Sequence, residues 1–342
     1  MNAPASSGAR AVTQKAPAPN GQLREIQEPV RERLDEVAEE LQRVVVADFP
    51  MLEAITDHLF RMKGKMFRPT LTLLASAVDE RPEPRAIQLA AVVELVHLAT
   101  LVHDDSVDHS TLRRGMPTIN ALFTHQISVI MGDFLYSRAV VELVRVGDMV
   151  PLQVLAHATN QMTIGEMRQL TALDALRFSE DDYDALIHAK TASLISAACE
   201  IGAIAGSVRH REALARYGLR LGMAFQIVDD LLDYTADATT TGKPTGLDLR
   251  EHKVTLPLIH ALRHMSPAGR RTVDRLFAAS EPDDELIANV IGIVEDRGGL
   301  EYARRRGERF ADEAAEALSD LPESRATLAL RDAIAYVMER TQ

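Results

Sequence analysis

The sequence has a single cysteine, no long uncharged apolar run and no excess of positive charge. Cys199 stands alone, so no disulfide can form within the chain, and a reducing compartment is expected. The 38 Lys and Arg residues face 50 Asp and Glu residues, a formal charge of −12 that argues against nucleic acid as a partner. No stretch reaches the roughly 18 uncharged apolar residues of a membrane span, because even residues 90–102 contain Glu94 and His97.

The N-terminal region shows neither a secretory signal nor the composition of a folded segment. Met1 precedes Asn, Ala and Pro, without the basic and then apolar order of a signal peptide. Residues 1–20 are rich in Ala, Pro, Ser and Gly, so they cannot bury enough apolar surface to offset the loss of chain entropy. We therefore expect a disordered tail over residues 1–20, a single domain over residues 21–342, and a cytoplasmic protein.

The body of the chain carries the signals of helices. Ala and Leu are abundant, no proline occurs between Pro151 and Pro244, and alternating β-branched runs with hairpin turns are missing. Apolar residues recur in three- and four-residue steps, as in Ala91, Leu95 and Leu98, and prolines and glycines separate such segments. The pattern predicts an all-α fold, a bundle of helices in one domain.

Two clusters of aspartate share one spacing. Asp104 and Asp108 lie four residues apart, and so do Asp229 and Asp233, so each pair lies on one face of a helix. Apolar residues border both clusters, where an uncompensated carboxylate is costly. One cluster alone would equally fit a solvated or lysine-paired acidic surface. The repetition favours hard divalent cations, Mg²⁺ foremost, which complete their coordination with water and substrate phosphate.

Basic residues stand along the chain where they could bind such an anion. Arginine binds phosphate directly through its planar fork, whereas carboxylates bind it only through a metal ion. The two kinds of group therefore indicate two anion sites, although an ordinary ion pair remains the alternative for any one cation. The candidate cations are Lys65, Arg68, Arg113, Arg114, Lys190, Lys243 and Lys253.

Together these residues resemble the trans-isoprenyl (polyprenyl) diphosphate synthases, of the long-chain type. The matching blocks follow the family's order through most of the body of the chain. They are Gly64-Lys65-Met66-Phe67-Arg68-Pro69, Glu94-Leu95-Val96-His97, the first aspartate motif with Arg113-Arg114-Gly115-Met116-Pro117-Thr118, Gly132-Asp133-Phe134-Leu135, Gly165-Glu166 with Gln169, Lys190-Thr191, Phe225-Gln226-Ile227-Val228 before the second aspartate motif, and Gly242-Lys243-Pro244-Thr245-Gly246-Leu247-Asp248-Leu249.

The resemblance implies an all-α fold, a bundle of antiparallel helices around a central cavity, with the two motifs facing each other across its mouth. It implies that residues 21–342 are one catalytic domain and that the protein is a homodimer. The implied reaction condenses isopentenyl diphosphate with an allylic diphosphate by magnesium-assisted ionisation, with up to three Mg²⁺ ions present when diphosphate is bound.

The resemblance also assigns roles to single residues. Arg113, Lys190 and Lys243 match positions that assist the allylic diphosphate, and Thr191 and Gln226 match positions beside the reacting carbons. Lys253 is a further candidate for substrate binding. The matches to the magnesium site are Asp104, Asp105, Asp108, Asp229, Asp230 and Asp233. The matches to positions that hold isopentenyl diphosphate without metal are Lys65, Arg68, His97 and Arg114.

The length of the product is predicted from two small residues one turn before the first motif. Ala99 and Thr100 stand where short-chain members of the family often carry an aromatic floor. An open floor resembles a long-chain enzyme, in the heptaprenyl to decaprenyl range. The alternative is that Ala99 only permits close helix packing and that another bulky side chain closes the cavity, as in a farnesyl or geranylgeranyl diphosphate synthase.

Three other functions compete with this interpretation. A class I terpene cyclase would share the bundle and the first motif but would act on one substrate. A metal phosphohydrolase would use His103, Asp104 and His97 as ligands and would need no second substrate. A non-catalytic synthase subunit would be expected to have lost aspartates, and both triplets are intact here.

One basic run falls outside these motifs. Arg304, Arg305 and Arg306 lie near Glu301 and Glu308, and we interpret them as a solvated, salt-bridged helix face.

Overall fold

The computed structural model describes residues 19–46, 49–62, 64–171, 175–235 and 245–340, and nearly all of these are helical. Most of the predicted tail, residues 1–18, lies outside the described residues. The first eight helices are α1 Pro19–Gln27, α2 Arg31–Val45, α3 Pro50–Arg61, α4 Phe67–Ser76, α5 Arg85–Val107, α6 Ile119–Leu122, α7 His125–Val146 and α8 Met149–Thr171. The others are α9 Glu180–Ile187, α10 Ser193–Ile204, α11 Arg211–Thr235, α12 Leu247–Arg250, α13 Leu256–His264, α14 Pro267–Ala278, α15 Asp284–Asp296, α16 Gly299–Ala317 and α17 Arg325–Glu339. The predicted all-α fold is confirmed.

The centre of the bundle is formed by helices that are apolar on nearly every face. Helices α5 and α10 are rich in buried Ala, Val, Leu and Ile, and helices with this pattern must be surrounded by other helices. Helix α5 packs on α4 and α7, and α10 packs between α4 and α11. The contacts of Ser106 with His125 and of His103 with Val129 show that α5 and α7 run antiparallel.

Helix α5 is also the one described helix with the length and apolar composition to cross a membrane. Inside the protein, 61% of its apolar window is buried against neighbouring helices. It carries Glu94, Asp104 and Asp105, and Asp104 lines the larger cavity described below. Its hydropathy is therefore explained by its place in the core of the bundle.

A short β-hairpin follows the first aspartate motif and was not predicted from the sequence. Leu112–Arg113 pairs antiparallel with Met116–Pro117. Arg114 and Gly115 between them both have positive φ values, 53° and 75°, as in the tight turns that connect hairpins. Two-residue strands give no detectable periodicity in a sequence, so only the turn itself could have been recognised. The hairpin fixes the positions of Arg113 and Arg114.

A π-helical turn, His188–Ala192, joins α9 to α10 and carries Lys190 and Thr191. Wider turns of this kind are uncommon and occur often at functional sites. Helix α11 passes this turn closely, because a Cβ atom on Gly222 would lie 2.6 Å from the Ala192 Cα atom. A glycine is therefore required at this crossing, and it sets the distance between the π-helical turn and α11.

The Gly222→Ala variant tests this close approach. We expect it to lower the free energy of unfolding by about 1–3 kcal/mol, because the added methyl group forces α11 away from Ala192. The control is Gly292→Ala in α15, where a Cβ atom would meet nothing within 4 Å, and which should raise stability by up to about 1 kcal/mol through helix propensity. Urea unfolding measures both, and equal effects of the two substitutions would contradict the packing argument.

Candidate active site

Two adjoining cavities open where α5, α8 and α11 come together. The larger, about 650 Å³, lies between α5, α7 and α8, and the smaller, about 450 Å³, lies between α8, α9, α11 and residues 248–255. Asp108, Lys190 and Thr191 line both cavities. The two cavities therefore meet at residues that the sequence had assigned to the reaction.

The first aspartate motif divides into two kinds of carboxylate. Asp104 and Asp108 line the larger cavity. Burial raises the pKa of Asp104 to about 6; the positive charge of Lys190 opposes this shift and the negative charge of Glu166 adds to it. Asp105 is not among the residues that line this cavity, and it accepts two hydrogen bonds of 2.9 Å from the Arg113 Nε atom, with a further ion-pair contact of 2.8 Å. Arg113 therefore binds the motif directly.

The residue before the motif is held by the neighbouring helix. His103 Nε2 lies 3.1 Å from the carbonyl oxygen of Val129 and 3.4 Å from Asp133 on α7. A Cβ atom on Gly132 would overlap the His103 ring, so a glycine is needed where this ring packs on α7. His97 contacts Arg68 instead, at 3.0 Å. The two histidines thus have separate protein partners, which disfavours the phosphohydrolase alternative.

The second aspartate motif is also divided. Asp230 is buried, and its carboxylate accepts hydrogen bonds from the Tyr183 hydroxyl at 2.6 Å and from Gln226 Nε2 at 2.8 Å. Burial and the charge of Asp248 raise its pKa well above the usual range. Asp229 is half exposed and forms an ion pair with Arg340 at 2.8 Å.

Asp233, the third carboxylate of this motif, is engaged by the backbone. Its two oxygens accept hydrogen bonds of 3.0 Å from the amides of Leu247 and Asp248, at the start of α12. Its own carbonyl oxygen accepts a bond of 2.8 Å from the Gly246 amide. Asp233 therefore anchors the segment that carries Asp248 to the end of α11.

Asp248 and Lys253 bring further charges to the smaller cavity. Burial and the charge of Asp233 raise the pKa of Asp248 to about 7. Lys253 Nζ lies 2.6 Å from Glu251, and the negative charges of Asp108 and Asp248 also act on it. Lys253 thus links the first motif electrostatically to the region of the second.

A basic group lies beside the acidic residues. Arg68 contacts His97 Nε2 at 3.0 Å, Lys65 Nζ donates to the Tyr336 hydroxyl at 3.1 Å, and Arg114 Nη1 donates to the carbonyl oxygen of Met62 at 2.9 Å. Glu94 is buried among these cations, and the charges of Arg68 and Arg114 act on it. Arg68 Nε and Glu94 Oε2 are buried and have no hydrogen-bond partner among the described residues. The group therefore has unused capacity to bind a polar ligand.

The surroundings of His97 within this group favour its neutral form. Burial, together with the positive charges of Arg68, Arg114 and Arg113, lowers the pKa of His97 well below the usual value. A neutral imidazole offers one donor and one acceptor nitrogen. The charge of Asp229 in the second motif acts on Arg68, so the basic group and the second motif share one electrostatic environment.

The predicted catalytic residues meet at the border of the two cavities. Lys190 Nζ lies 2.5 Å from Glu166, and the Thr191 hydroxyl donates to Gln226 Oε1 at 2.7 Å. Ala99 and Thr100 line the larger cavity below Asp104. Lys243 lies outside the described residues.

The sequence analysis did not single out three residues that the structure places at the site. Glu166 and Asp248 lie within the blocks quoted for the resemblance, yet they carry no repeated spacing that would mark them as site residues. Tyr183 lies in no block. Its bond to Asp230 depends on how α9 packs against α11, which no local pattern in the sequence reports.

Comparisons with known proteins show the family of this chain. A family model described as polyprenyl synthetase matches residues 49–294. The chain is 40% identical over 294 residues to an all-trans-nonaprenyl-diphosphate synthase (geranyl-diphosphate specific) of Rhodobacter capsulatus, covering 85% of this chain and 90% of that protein.

Solved structures give the same result. A decaprenyl diphosphate synthase from Rhodobacter capsulatus superposes with a TM-score of 0.88 at 36% identity, covering 94% of this chain and 99% of that one. A polyprenyl synthase from Caulobacter crescentus CB15, complexed with calcium and isoprenyl diphosphate, also gives 0.88, at 33% identity and with coverage of 94% and 98%. Fold and site together define a prenyltransferase. The chain belongs to the polyprenyl synthetase family and is a polyprenyl diphosphate synthase.

Proposed function

We propose that this synthase elongates an allylic diphosphate with isopentenyl diphosphate and releases a long-chain product, from heptaprenyl to decaprenyl. The observation that carries the proposal is the meeting of three environments in one place. Carboxylates line the border of the two cavities, a basic group lies beside them, and a cavity with the small residues Ala99 and Thr100 extends below Asp104.

The carboxylates fit a divalent cation. Burial and mutual repulsion raise the pKa values of Asp104, Asp230 and Asp248, and a bound cation would relieve that repulsion. Among the described residues, no group of three or more metal-ligating side chains is assembled in advance. This agrees with a magnesium ion that takes part of its coordination from water and from a diphosphate. The Caulobacter relative was crystallised with calcium and isoprenyl diphosphate.

We assign the six aspartates two roles. Asp104, Asp108, Asp229 and Asp230 would hold Mg²⁺, of which up to three ions are expected with diphosphate bound. Asp105 and Asp233 support them, because the first fixes Arg113 and the second fixes the segment that carries Asp248. When bound, the metal neutralises charge on the leaving diphosphate.

We assign the basic residues to two diphosphate sites. Lys190 and Arg113 lie beside the first motif, where the allylic diphosphate would bind, and Lys243 is proposed for the same role from the sequence alone. Lys65, Arg68 and Arg114 would bind the diphosphate of isopentenyl diphosphate directly, because the arginine fork matches phosphate geometry. His97 would donate a hydrogen bond there. Lys253 lines the smaller cavity, together with Asp108 of the first motif and Asp230 of the second.

The reaction follows from placing the two substrates side by side. The allylic C–O bond breaks and leaves its electron pair on the diphosphate, and the double bond of isopentenyl diphosphate forms the new C–C bond. The resulting cation loses a proton to the departing diphosphate, which gives an allylic diphosphate one unit longer. Thr191 and Gln226, joined by their hydrogen bond, would face the reacting carbons. Closure over the substrates would exclude water, which quenches the cation.

Separate Asp104→Asn and Asp229→Asn variants test the metal assignment. Each should lower kcat by about 100-fold or more, because an amide cannot neutralise a cation as a carboxylate does. Turnover is measured with Mg²⁺, labelled isopentenyl diphosphate and an allylic primer. Asp312→Asn, an exposed position on α16, is the matched control. Normal turnover in either of the first two variants would refute the assignment.

The larger cavity has the shape expected of a channel for the growing chain. Its wall on α5 runs from Asp104 to Val96, about 12 Å along the helix axis, and its wall on α8 runs from Glu166 to Ala156, about 15 Å. Ala99 is almost fully buried. Because its side chain is only a methyl group, it does not close this space. Apart from the histidines His97 and His103, Tyr136 on α7 is the one aromatic residue that lines the cavity within the described ranges.

Ala99→Phe should shorten the product. A phenylalanine at this position would fill the space between α5 and α8 and stop the chain after fewer condensations. Chromatography of the dephosphorylated lipids measures the chain-length distribution. Ala99→Ser serves as the control and should leave the distribution unchanged. A long product from Ala99→Phe would show that the chain takes another path.

The proposed homodimer is supported by an exposed apolar stripe on α7. Ile130 and Val144 expose 63% and 65% of their surface, and Val141 lies between them on the same face. Such a stripe on a soluble helix is typical of an interface between subunits. The proposed location is the cytoplasm.

An Ile130→Glu, Val144→Glu double variant should convert the dimer into a monomer, because two charges would be buried without partners at the interface. Sedimentation equilibrium measures the mass. Leu328→Glu on α17, where the leucine is also half exposed, is the control. A dimeric double variant would place the interface elsewhere.

A further inference from the structure

A third cavity, of about 480 Å³, lies behind the catalytic wall. It is formed by α9, the π-helical turn, α11 and α16, and it shares no lining residue with the two catalytic cavities. Helix α9, the π-helical turn and α11 also contribute residues to the catalytic cavities. On α9, for example, Tyr183 lines a catalytic cavity and its neighbour Asp184 lines this one. We refer to it below as the rear cavity.

Arginines dominate the rear cavity. Arg220 and Arg306 hold their guanidinium groups 5.7 and 5.4 Å from the centre of the Phe310 ring. Arg220 forms an ion pair with Glu313 at 3.0 Å, and Arg306 forms one with Asp184. These pairs fix the two guanidinium groups against an aromatic surface, so little side-chain entropy remains to be lost on binding.

Cationic capacity is left over after these pairs. Arg309 is exposed at the rim, and no ion pair to it is found within the part of the chain that the structure describes. Arg306 Nε is buried and meets no hydrogen-bond acceptor in the described ranges, although the side chain is already paired with Asp184. Three arginines face two carboxylates here, a local positive excess in a chain whose net charge is −12. The run Arg304–Arg306 is thus more than a solvated helix face, because one of its members lines a cavity.

We propose that the rear cavity binds a small phosphorylated molecule, with the phosphate on Arg309 and the free edge of Arg306 and an apolar portion against Phe310 and Met223. Guanidinium groups favour phosphate because two parallel N–H donors match two of its oxygens. The walls are apolar where Phe310 and Met223 contribute, so an organic phosphate would gain contacts that a free anion lacks.

Occupancy of this cavity would reach the active site through the π-helical turn. His188 lines the rear cavity, and two residues later Lys190 lines both catalytic cavities. A ligand that restrains His188 restrains the same five-residue turn, which also carries Lys190. Binding itself does not depend on the proposed prenyl transfer; only the significance of its coupling to Lys190 rests on that function.

Titration calorimetry on the full chain in EDTA tests binding, with inorganic diphosphate and geranyl diphosphate as separate probes. We expect two binding events. One is lost in a Lys65→Ala, Arg114→Ala variant, which disables the catalytic basic group. The other is weakened about tenfold or more by Arg309→Gln. Arg304→Gln, an exposed arginine on the same helix that does not line the cavity, should bind like the unmodified protein. Tighter rear-cavity binding of geranyl diphosphate would identify an organic phosphate, and equal binding would identify the free anion.

Hydrogen exchange of amides 188–192 tests the coupling without measuring turnover. Diphosphate should slow exchange there in the Lys65→Ala, Arg114→Ala variant and should not do so when Arg309→Gln is added. Loss of all binding in the first variant, or unchanged binding in Arg309→Gln, would overturn the proposal. Because no metal is present, these outcomes are independent of whether the enzyme transfers prenyl groups.

Discussion

The burial of several carboxylates close together is the constraint on which the rest of the structure depends. Burial raises the pKa values of Asp104, Asp230 and Asp248, and neighbouring acids add to the shift in each case. Such an arrangement is unfavourable for an isolated helix pair, so the large apolar interfaces of α5, α10 and α11 must hold it together. The protein offsets part of the cost with the Tyr183 hydroxyl and with lysines at the cavity border. The negative charge that remains is the feature on which the proposed cation site rests.

The two aspartate motifs look equivalent in sequence but are used differently. In each, one carboxylate is bonded to a flanking segment: Asp105 to the guanidinium group of Arg113, and Asp233 to two backbone amides. These bonds fix the flanking segments, the hairpin in one case and α12 in the other. These fixed segments hold the neighbouring carboxylates of each motif in place. Such rigidity is the condition for strong electrostatic stabilisation of a developing charge.

One wall of the active site has two functional faces. Helix α9, the π-helical turn and α11 carry Tyr183, Lys190 and Gln226 on one side, and they contribute to an arginine-lined cavity on the other. Gly222 lets α11 approach this turn so closely that neither element can shift without the other. A close-packed wall transmits displacement instead of absorbing it. This packing gives the rear cavity a physical route to Lys190.

The sequence by itself determined the helical class, the shared spacing of the two aspartate motifs and the family, because helical periodicity and motif blocks are local properties of the chain. It could not show that Asp105 and Asp233 are engaged while Asp104 and Asp108 face a cavity, since residues on one helix differ only in what packs against them. Glu166, Asp248 and Tyr183 enter the site through contacts between helices distant in sequence, and the two-residue strands of the hairpin are too short to have a period. The rear cavity likewise exists only once α16 lies across α9 and α11. Local pattern fixed which residues could do the chemistry; tertiary packing decided which of them share one environment, because burial and charge interaction depend on distance in space.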